Sequence, residues 1–340
     1  MTPLPPLLNA PLSVPAEVGG LTLESPLLLA PLAGITIPPL RLFFAGLGAA
    51  AVHTEMISCA GLLWSNGKTD AMLDLLPGEP PAVVQLFAGD RDTLARAAEK
   101  VLKDTPYKAV GINMACPMPK VLKKGAGSRL MKRPEEAFAM VAALVKMGLP
   151  VWPKIRKCPP DYPLTTEEFC RGLLDAGASL VCLHGRTPAQ RYAGDADREI
   201  IREMAAEFPG RICASGDVYT PSQAVGYLEM GCPAVLLARG AVADPFLFAK
   251  TLAFMGHDVH NSYINPPPDL RISLMLRLGD SVSGYMGPRI GALFAKRIMA
   301  GMFKGLRGSA ALRRKAAEHS CWTELRGVIE QSDSCLERRE

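Results

Sequence analysis

Residues 82–104 read AVVQLFAGDRDTLARAAEKVLKD and contain one complete unit of the fold. The first eight residues are almost continuously apolar, as a strand that is covered on both faces must be. The remainder has the composition and spacing of an amphipathic helix. A buried strand followed at once by a helix is the building unit of parallel sheets, so this stretch predicts an α/β fold.

The unit recurs about eight times along the chain. The apolar runs are PLLLAPLAG from Pro26, AAAVHTEMIS from Ala49, AVVQLFAG from Ala82, AVGINMACP from Ala109, VWPKIRK from Val151, LVCLHGRT from Leu180, RICASGDV from Arg211 and AVLLARGA from Ala234. Residues Asp90, Thr165 and Thr220 are expected helix N-caps, and Gly177 and Gly231 are expected to end helices. This alternation favours a closed (β/α)8 TIM barrel over an open doubly wound sheet.

The alternation stops near Met255, and the remaining sequence has helical patterns. The candidate helices are RISLMLRLGDSVSGYM, GALFAKRIMAGMFKGL and SAALRRKAAEHSCWTELRGVIEQ. Three consecutive prolines from Pro266 cannot continue a helix and indicate a linker. We therefore expect two domains, a barrel domain at residues 1–254 and a helical domain at residues 255–340.

Composition favours a folded chain, with 49% hydrophobic and 21% charged residues. No apolar run reaches the roughly 18 residues of a membrane span, and the N-terminus lacks a signal-peptide pattern. We expect a cytoplasmic protein without membrane contact, and a monomer by default. The nine cysteines show no CxxC motif or zinc-site spacing, so reduced thiols and no metal site are expected.

A basic segment extends from Pro288 to Ala317 and contains no acidic residue. Its cations are Arg289, Lys296, Arg297, Lys304, Arg307, Arg313, Arg314 and Lys315. Cations concentrated in this way favour a surface that binds phosphates, and hence a nucleic acid. The alternative is an ordinary solvated helix face.

Polar residues at the ends of the apolar runs are candidates for the active site, because barrel enzymes react at the carboxyl ends of their strands. The last two runs end in Ser215-Gly216-Asp217 and Ala238-Arg239-Gly240. Loops after strands seven and eight commonly bind phosphate, and small residues leave backbone amides accessible to it. A nucleotide-like cofactor is therefore expected, although both segments could simply be tight turns.

Lys154, His184 and Cys116 also end or follow strands. The first two could stabilise negative charge on a reduced flavin ring, and Gln85 could add a contact. Cys116 precedes the glycine-rich loop KKGAGSRLM, and an unperturbed thiol is mostly protonated at neutral pH, so it can donate a proton. The alternative is that these residues belong to the core or the surface.

These residues lie in longer motifs: APLAG at 30–34, TEMIS at 54–58, VQLFAG at 84–89, INMACPMPKVLKKGAGSRLM at 112–131, KIR at 154–156, HGRTPAQRY at 184–192, ASGDV at 214–218 and ARGA at 238–241. In them the chain resembles the tRNA-dihydrouridine synthases, and its tail AKRIMAGMFKGLRGSAALRR is similar to their helical tRNA-binding domain. The resemblance implies an enzyme in which NADPH reduces FMN, a hydride reaches C6 of a uridine in tRNA, and Cys116 protonates C5.

The resemblance also implies which residues contact each ligand. FMN would be contacted by Pro31, Ala33, Gln85, Lys154, His184, Ser215, Gly216, Asp217, Ala238, Arg239 and Gly240. The RNA substrate would be contacted by Asn113, Arg156, Arg186, Arg191, Tyr192, Lys296, Arg297, Arg313 and Arg314.

The chain departs from the family pattern at several of these sites. Ser215 stands where Asn is usual, and Ala238 and Ala115 stand where Gly is usual. ITIPP at 35–39 replaces a usual VTD, and Arg297 stands where a Lys-His pair is common. The phosphate contacts are therefore expected to differ in detail.

Two other functions are compatible with parts of this pattern. A flavin-dependent barrel oxidoreductase acting on a small molecule, similar to dihydroorotate dehydrogenases or ene-reductases, would share the barrel and phosphate site but would not need the basic tail. A non-catalytic RNA-binding protein would not need Cys116. The sequence leaves open which uridine is reduced, and whether NADPH or NADH is the reductant.

Overall fold

A ring of paired strands lies at the centre of the molecule. The computed structural model describes residues 3–12, 15–64, 67–103, 105–332 and 335–338. A hairpin of β1 (Ala16–Val18) and β2 (Leu21–Leu23) comes first. The barrel strands follow as β3 (Leu27–Leu29), β4 (Ala51–Ser58), β5 (Ala82–Phe87), β6 (Ala109–Asn113), β7 (Val151–Arg156), β8 (Val181–His184), β9 (Ile212–Ser215) and β10 (Val235–Leu237). Each is parallel to the next, and β10 pairs with β3 to close the ring. The predicted TIM barrel is confirmed, with a strand in each of the predicted apolar runs.

The barrel interior is filled by side chains and closed at its amino-terminal end by the hairpin. Trp152, Cys182 and Cys213 are buried inside the barrel together with Val18 of the hairpin. The indole Nε1 of Trp152 donates to the carbonyl of Gly19 at 2.9 Å. The barrel is therefore a packed core, and a ligand can enter only from the opposite end.

Helices cover the outside of the barrel. They are α1 (Pro38–Ala45), α2 (Cys59–Leu63), α3 (Gly67–Asp70), α4 (Arg91–Lys103), α5 (Pro119–Leu122), α6 (Pro134–Val145), α7 (Thr166–Asp175), α8 (Arg198–Glu207), α9 (Pro221–Glu229), α10 (Arg239–Ala243) and α11 (Leu247–Phe254), with 3₁₀ turns at Ala71–Leu73 and Gly127–Lys132. Thr165 and Thr220 each form a capping box, and Asp90 accepts from the N–H of Thr93 at 2.8 Å. All three predicted N-caps are confirmed.

The C-terminal segment is helical, as predicted. It contains α12 (Asn261–Ile264), α13 (Pro268–Met286), α14 (Pro288–Met302), α15 (Ser309–Ala317) and α16 (Trp322–Glu330), and a two-residue pairing of β11 (Leu306–Arg307) with β12 (Glu337–Arg338). The last candidate helix is wrong as a single element, because the chain turns between α15 and α16. The turn lets the indole Nε1 of Trp322 donate to Asp280 Oδ1 of α13 at 2.7 Å. Within the described residues, none of the helices combines the length and apolarity needed to cross a bilayer.

Helix α14 lies directly against the carboxyl end of the barrel. A Cβ atom on Gly301 would lie 2.2 Å from the carbonyl oxygen of Val242, which follows β10. Only glycine permits this approach, because a real Cβ cannot come so close to a carbonyl oxygen. The C-terminal helices therefore border the open end of the barrel.

A buried ion pair connects α1 to the segment that leads into β5. The guanidinium Nε of Arg41 lies 2.7 Å from Glu79 Oε2, and the two side chains are 0% and 3% exposed. Arg41 also donates to the carbonyls of Thr36 at 3.0 Å and Asp74 at 2.6 Å. One side chain of α1 thus holds the loop that follows β3 and the segment that precedes β5.

Replacement of Arg41 by methionine is expected to lower the free energy of unfolding by about 3–5 kcal/mol, because Glu79 would stay buried without its partner. Urea unfolding measures this change. The control is Arg202→Met, since Arg202 pairs with Glu199 on the surface and both side chains are 56% exposed; its loss should cost less than about 1 kcal/mol. Equal costs for the two variants would contradict the importance of the buried pair.

Candidate active site

A cavity of about 840 Å³ opens at the carboxyl end of the barrel. All eight strands, or the loops that follow them, contribute to its walls, and α14 contributes a further side. Parallel strands end at one edge, so residues distant in sequence meet here. This is the end of the barrel at which the sequence predicts the active site.

Most predicted site residues line the cavity. They are Pro31, Ala33, Gln85, Asn113, Cys116, Lys154, Arg156, His184, Arg191, Tyr192, Ser215, Gly216, Asp217, Ala238, Arg239, Gly240 and Arg297. Arg186 lies behind the wall, while Lys296, Arg313 and Arg314 lie on the C-terminal helices outside the cavity. Arg313 and Arg314 are exposed, and Lys296 Nζ lies 3.5 Å from the carbonyl of Ala317.

Several lining residues were not predicted for the active site, among them Met56, Met118 and Tyr219, and Lys304 was predicted only as part of the basic segment. Met56 follows an irregularity in the pairing of β4 with β5, and such bulges change which side chains face inward. Two signals were available in the sequence. Tyr219 comes directly after the SGDV motif, and Lys304 lies in the basic segment, seven residues after Arg297.

Asn113 fixes the backbone around Cys116. Its Oδ1 accepts from the N–H groups of Ala115 at 3.2 Å and Cys116 at 3.0 Å. Its Nδ2 donates to Gln85 Oε1 at 2.9 Å and lies 3.6 Å from the sulfur of Met56. The amide of Asn113 is therefore fully engaged in holding the cysteine turn against β5.

The glycine-rich loop packs on the same cysteine. Ser128 donates its N–H to the carbonyl of Cys116 at 3.0 Å. Gly127 has a φ of +63°, and a Cβ there would lie 2.4 Å from that carbonyl, so the close contact needs glycine. Burial raises the pKa of the Cys116 thiol, against the opposing effects of the Met118 N–H and nearby cations. The thiol is thus neutral at neutral pH and can donate a proton.

His184 and Lys154 form a polar wall that lacks acidic partners. His184 is 7% exposed, and its Nε2 has no hydrogen-bond partner among the described residues. Burial, and then the charges of Lys154, Arg156, Arg186 and Arg239, lower the pKa of His184 to about 2, so the imidazole is neutral. Burial, and then Arg156, lower the pKa of Lys154 to about 8. Unpartnered buried polar groups of this kind indicate a binding site.

Asp217 joins two arginines at the edge of the cavity. It accepts from Arg186 at 2.7 and 2.6 Å, from Arg239 at 3.1 Å and from the N–H of Ala196 at 2.8 Å. Partial burial favours the neutral acid, but the hydrogen bonds from Arg186 and Ala196 outweigh it and lower the pKa of Asp217. The carboxylate thus anchors Arg239 at the rim and neutralises Arg186 behind it.

The start of α10 presents free backbone donors next to this carboxylate, within the described residues. The N–H groups of Arg239 and Gly240 donate to no backbone or side-chain acceptor in the described part of the chain. The Arg239 guanidinium lies 4.3 Å from the ring centroid of Tyr192 and 5.8 Å from that of Tyr219. Free amides at the start of a helix and an adjacent guanidinium together suit a phosphate group.

Gly34, in the loop between β3 and α1, is held from two directions. Its N–H donates to Glu55 of β4, and its carbonyl accepts from the guanidinium of Arg297 on α14. Arg297 therefore both lines the cavity and fastens a loop of its wall. This bond ties the C-terminal helices to the active site.

Replacement of Arg297 by alanine should speed amide hydrogen exchange in peptides that cover residues 31–36 by about tenfold, which corresponds to about 1.4 kcal/mol. The loop would lose its bond to α14 but keep its bond to Glu55. Exchange measured by mass spectrometry tests this. Arg289→Ala, an exposed site at the start of the same helix, is the control. Unchanged exchange in Arg297→Ala would show that the bond does not hold the loop.

Comparison with known proteins agrees with this geometry. A model of the family described as dihydrouridine synthase matches residues 28–337. A probable tRNA-dihydrouridine synthase of Treponema pallidum is 28% identical over 339 residues, which cover 95% of this chain and 97% of the relative. A probable tRNA-dihydrouridine synthase 1 of Synechocystis is 31% identical over 94% of this chain and 90% of its own length. A tRNA-dihydrouridine synthase B of Xanthomonas axonopodis is 30% identical over 83% of this chain and 84% of its own length. The chain belongs to the dihydrouridine synthase family of flavin-dependent oxidoreductases.

Proposed function

We propose that this protein is a tRNA-dihydrouridine synthase, which reduces the C5=C6 bond of uridines in tRNA. The observation that carries the proposal is Cys116, a neutral thiol held by Asn113 at a cationic cavity large enough for a flavin and a base. The family match and the names of the relatives support tRNA over a free small molecule. The intact cysteine favours catalysis over RNA binding alone.

FMN is the cofactor that we propose for the cavity, and the residues present fit it. The unpartnered Nε2 of His184 and the amine of Lys154 suit the polar edge of a flavin ring. The N–H groups of Arg239 and Gly240, with Ser215 and Ala238 nearby, suit its phosphate. When reduced by NADPH, the proposed reductant, FMN supplies a hydride for C6 of uracil.

Pro31, Ala33, Gln85, Gly216 and Asp217 complete the proposed cofactor site. The first three lie on loops or strands at the β3–β5 side of the cavity. Gly216 and Asp217 follow β9, on the phosphate side, where Asp217 acts through the arginine that it anchors. The altered residues Ser215 and Ala238 are small and keep this wall open.

Cys116 supplies the second hydrogen of the reaction. The thiol proton goes to C5, while the electron pair of the S–H bond stays on sulfur as a thiolate. Arg156 and Lys154 would stabilise this thiolate, because both already favour the charged form of Cys116. A proton from solvent then restores the thiol. The uracil ring gains one hydride and one proton, as reduction of one double bond requires.

Asn113 and Arg156 act mainly by positioning the cysteine. Asn113 has all its amide groups engaged within the protein, so we infer that it orients Cys116 rather than the uracil edge. Arg156 donates to the carbonyls of Ala115 at 2.8 Å and Arg191 at 2.9 Å. It therefore keeps the cysteine turn and the loop after β8 in a fixed relation. The side chain of Tyr192 is 59% exposed at the mouth of the cavity and is accessible to the substrate.

We propose that residues 1–254 form the catalytic domain and residues 255–340 the tRNA-binding domain. Arg313 and Arg314 are exposed on α15, with Lys296 on the neighbouring α14, and suit contacts with the RNA backbone. Arg297 lies at the cavity itself. A uridine must leave its base stack to enter the barrel, so contacts on both domains would hold the surrounding RNA.

Nucleoside mass spectrometry tests the function. Purified protein with FMN and NADPH should form dihydrouridine in tRNA that lacks it. Cys116→Ala should lower the rate by at least about 10²-fold, the usual effect of removing a general acid, while still binding RNA. Cys321→Ala, in the C-terminal segment outside the cavity, is the control and should retain activity. A flavin-loaded wild type that forms no dihydrouridine would exclude the proposed function.

A further inference from the structure

A second cavity of about 650 Å³ adjoins the active site. It lies between the loop that follows β6 and the loops that follow β7 and β8, and we call it the side groove. Pro117 and Arg191 line both the side groove and the active-site cavity. The side groove therefore begins where the active site ends, directly beyond the cysteine turn.

The side groove is positively charged. Arg129, Lys132 and Arg191 line it, and in the described part of the chain the guanidinium groups of the two arginines form no ion pair. Lys132 lies 3.5 Å from Asp161, but the side chains are 48% and 71% exposed, so water weakens this pair. Residues 114–134, which follow β6, contain six Lys and Arg residues and no acidic residue. Among the described residues, no acidic side chain lines the groove, and Asp161 is the acid that pairs with one of its cations.

The backbone presents one of these cations at the junction with the active site. Arg191 has a φ of +50°, a left-handed conformation that is unfavourable for an arginine. Its carbonyl accepts from Arg156 Nη1 at 2.9 Å, and this bond helps to maintain the conformation. Tyr162 adds an aromatic face to the groove, with the Lys132 ammonium 4.7 Å from its ring centroid. Cations interleaved with aromatic rings suit single-stranded nucleic acid.

The groove lies across the mouth from the C-terminal helices. In the closed ring of eight strands, β6 is four places from β10, so the two strands face each other. Helix α14 lies beside β10 and brings Arg297 to the cavity, and the turn that follows the helix brings Lys304 there. The cysteine loop after β6 brings Arg129 and Lys132 to the opposite side. A polyanionic chain across the mouth would meet cations at both ends.

We propose that the side groove binds the phosphodiester backbone of the RNA on one side of the reacting uridine, while Arg297 and Lys304 bind it on the other. This inference rests on the proposed function and assigns Arg129 and Lys132 as substrate contacts. Phosphates held on both sides would keep the extruded nucleotide over Cys116. A free uridine would not reach the groove.

The double variant Arg129→Ala/Lys132→Ala tests the proposal, with KM for tRNA, its salt dependence, kcat and FMN binding as readouts. We expect KM to rise about tenfold and the slope of log K against log salt to fall in magnitude by about 1.4–1.8, because two phosphate contacts are lost. The values of kcat and FMN affinity should stay unchanged. Arg129→Gln/Lys132→Gln, which keeps longer side chains, should give the same result if the alanine variant folds poorly.

The matched control is Lys103→Ala/Lys108→Ala. It removes the same charge from exposed residues before β6, at the other end of the barrel, and should leave KM and the salt slope unchanged. If the groove variants still form dihydrouridine and keep the KM and salt slope of the wild type, the groove proposal is overturned and the proposed function stays intact. A fall in kcat alone would also overturn it. Failure of the wild type to form dihydrouridine would instead contradict the proposed function.

Discussion

The carboxylate of Asp217 is the contact on which the cationic wall of the active site depends. Arg186 is 3% exposed, and a guanidinium buried to that degree needs an acidic partner. Asp217 provides it, because Arg186 donates to both of its carboxylate oxygens, and Oδ1 also accepts from Arg239 at the rim. One carboxylate therefore balances two arginines, while Lys154 and Arg156 have no acidic partner among the residues that the structure describes. The wall keeps a net positive charge, which a phosphate-bearing cofactor and an RNA substrate would balance.

The barrel and the C-terminal helices build one site together. Gly301 lets α14 contact the residues after β10, and Arg297 on the same helix binds the carbonyl of Gly34. Binding of RNA to this helix would therefore act on a loop of the cavity wall. On the opposite side, Asn113 and Arg156 hold the cysteine turn. Cys116 is thus held by residues of the barrel and of its own loop rather than by the C-terminal helices.

The sequence predicts the barrel and most of the cavity for one physical reason. Strands covered on both faces are continuously apolar, and parallel strands all end at one edge, so the polar residues that end them must converge. What it misses depends on tertiary contacts. Arg186 was expected at the substrate but is neutralised by Asp217, and Met56 is turned inward by a bulge. The bond from Arg297 to Gly34 spans 263 residues and has no local signal.

The central claim is that the wall organised by Asp217 binds a flavin through its phosphate. Titration of the flavin-free protein with FMN and with riboflavin, followed by flavin fluorescence, tests this most directly. The phosphate would form charge-assisted hydrogen bonds at the start of α10, so FMN should bind at least about tenfold more tightly than riboflavin. Equal affinities would show that the cationic wall does not bind the phosphate, and would contradict the account.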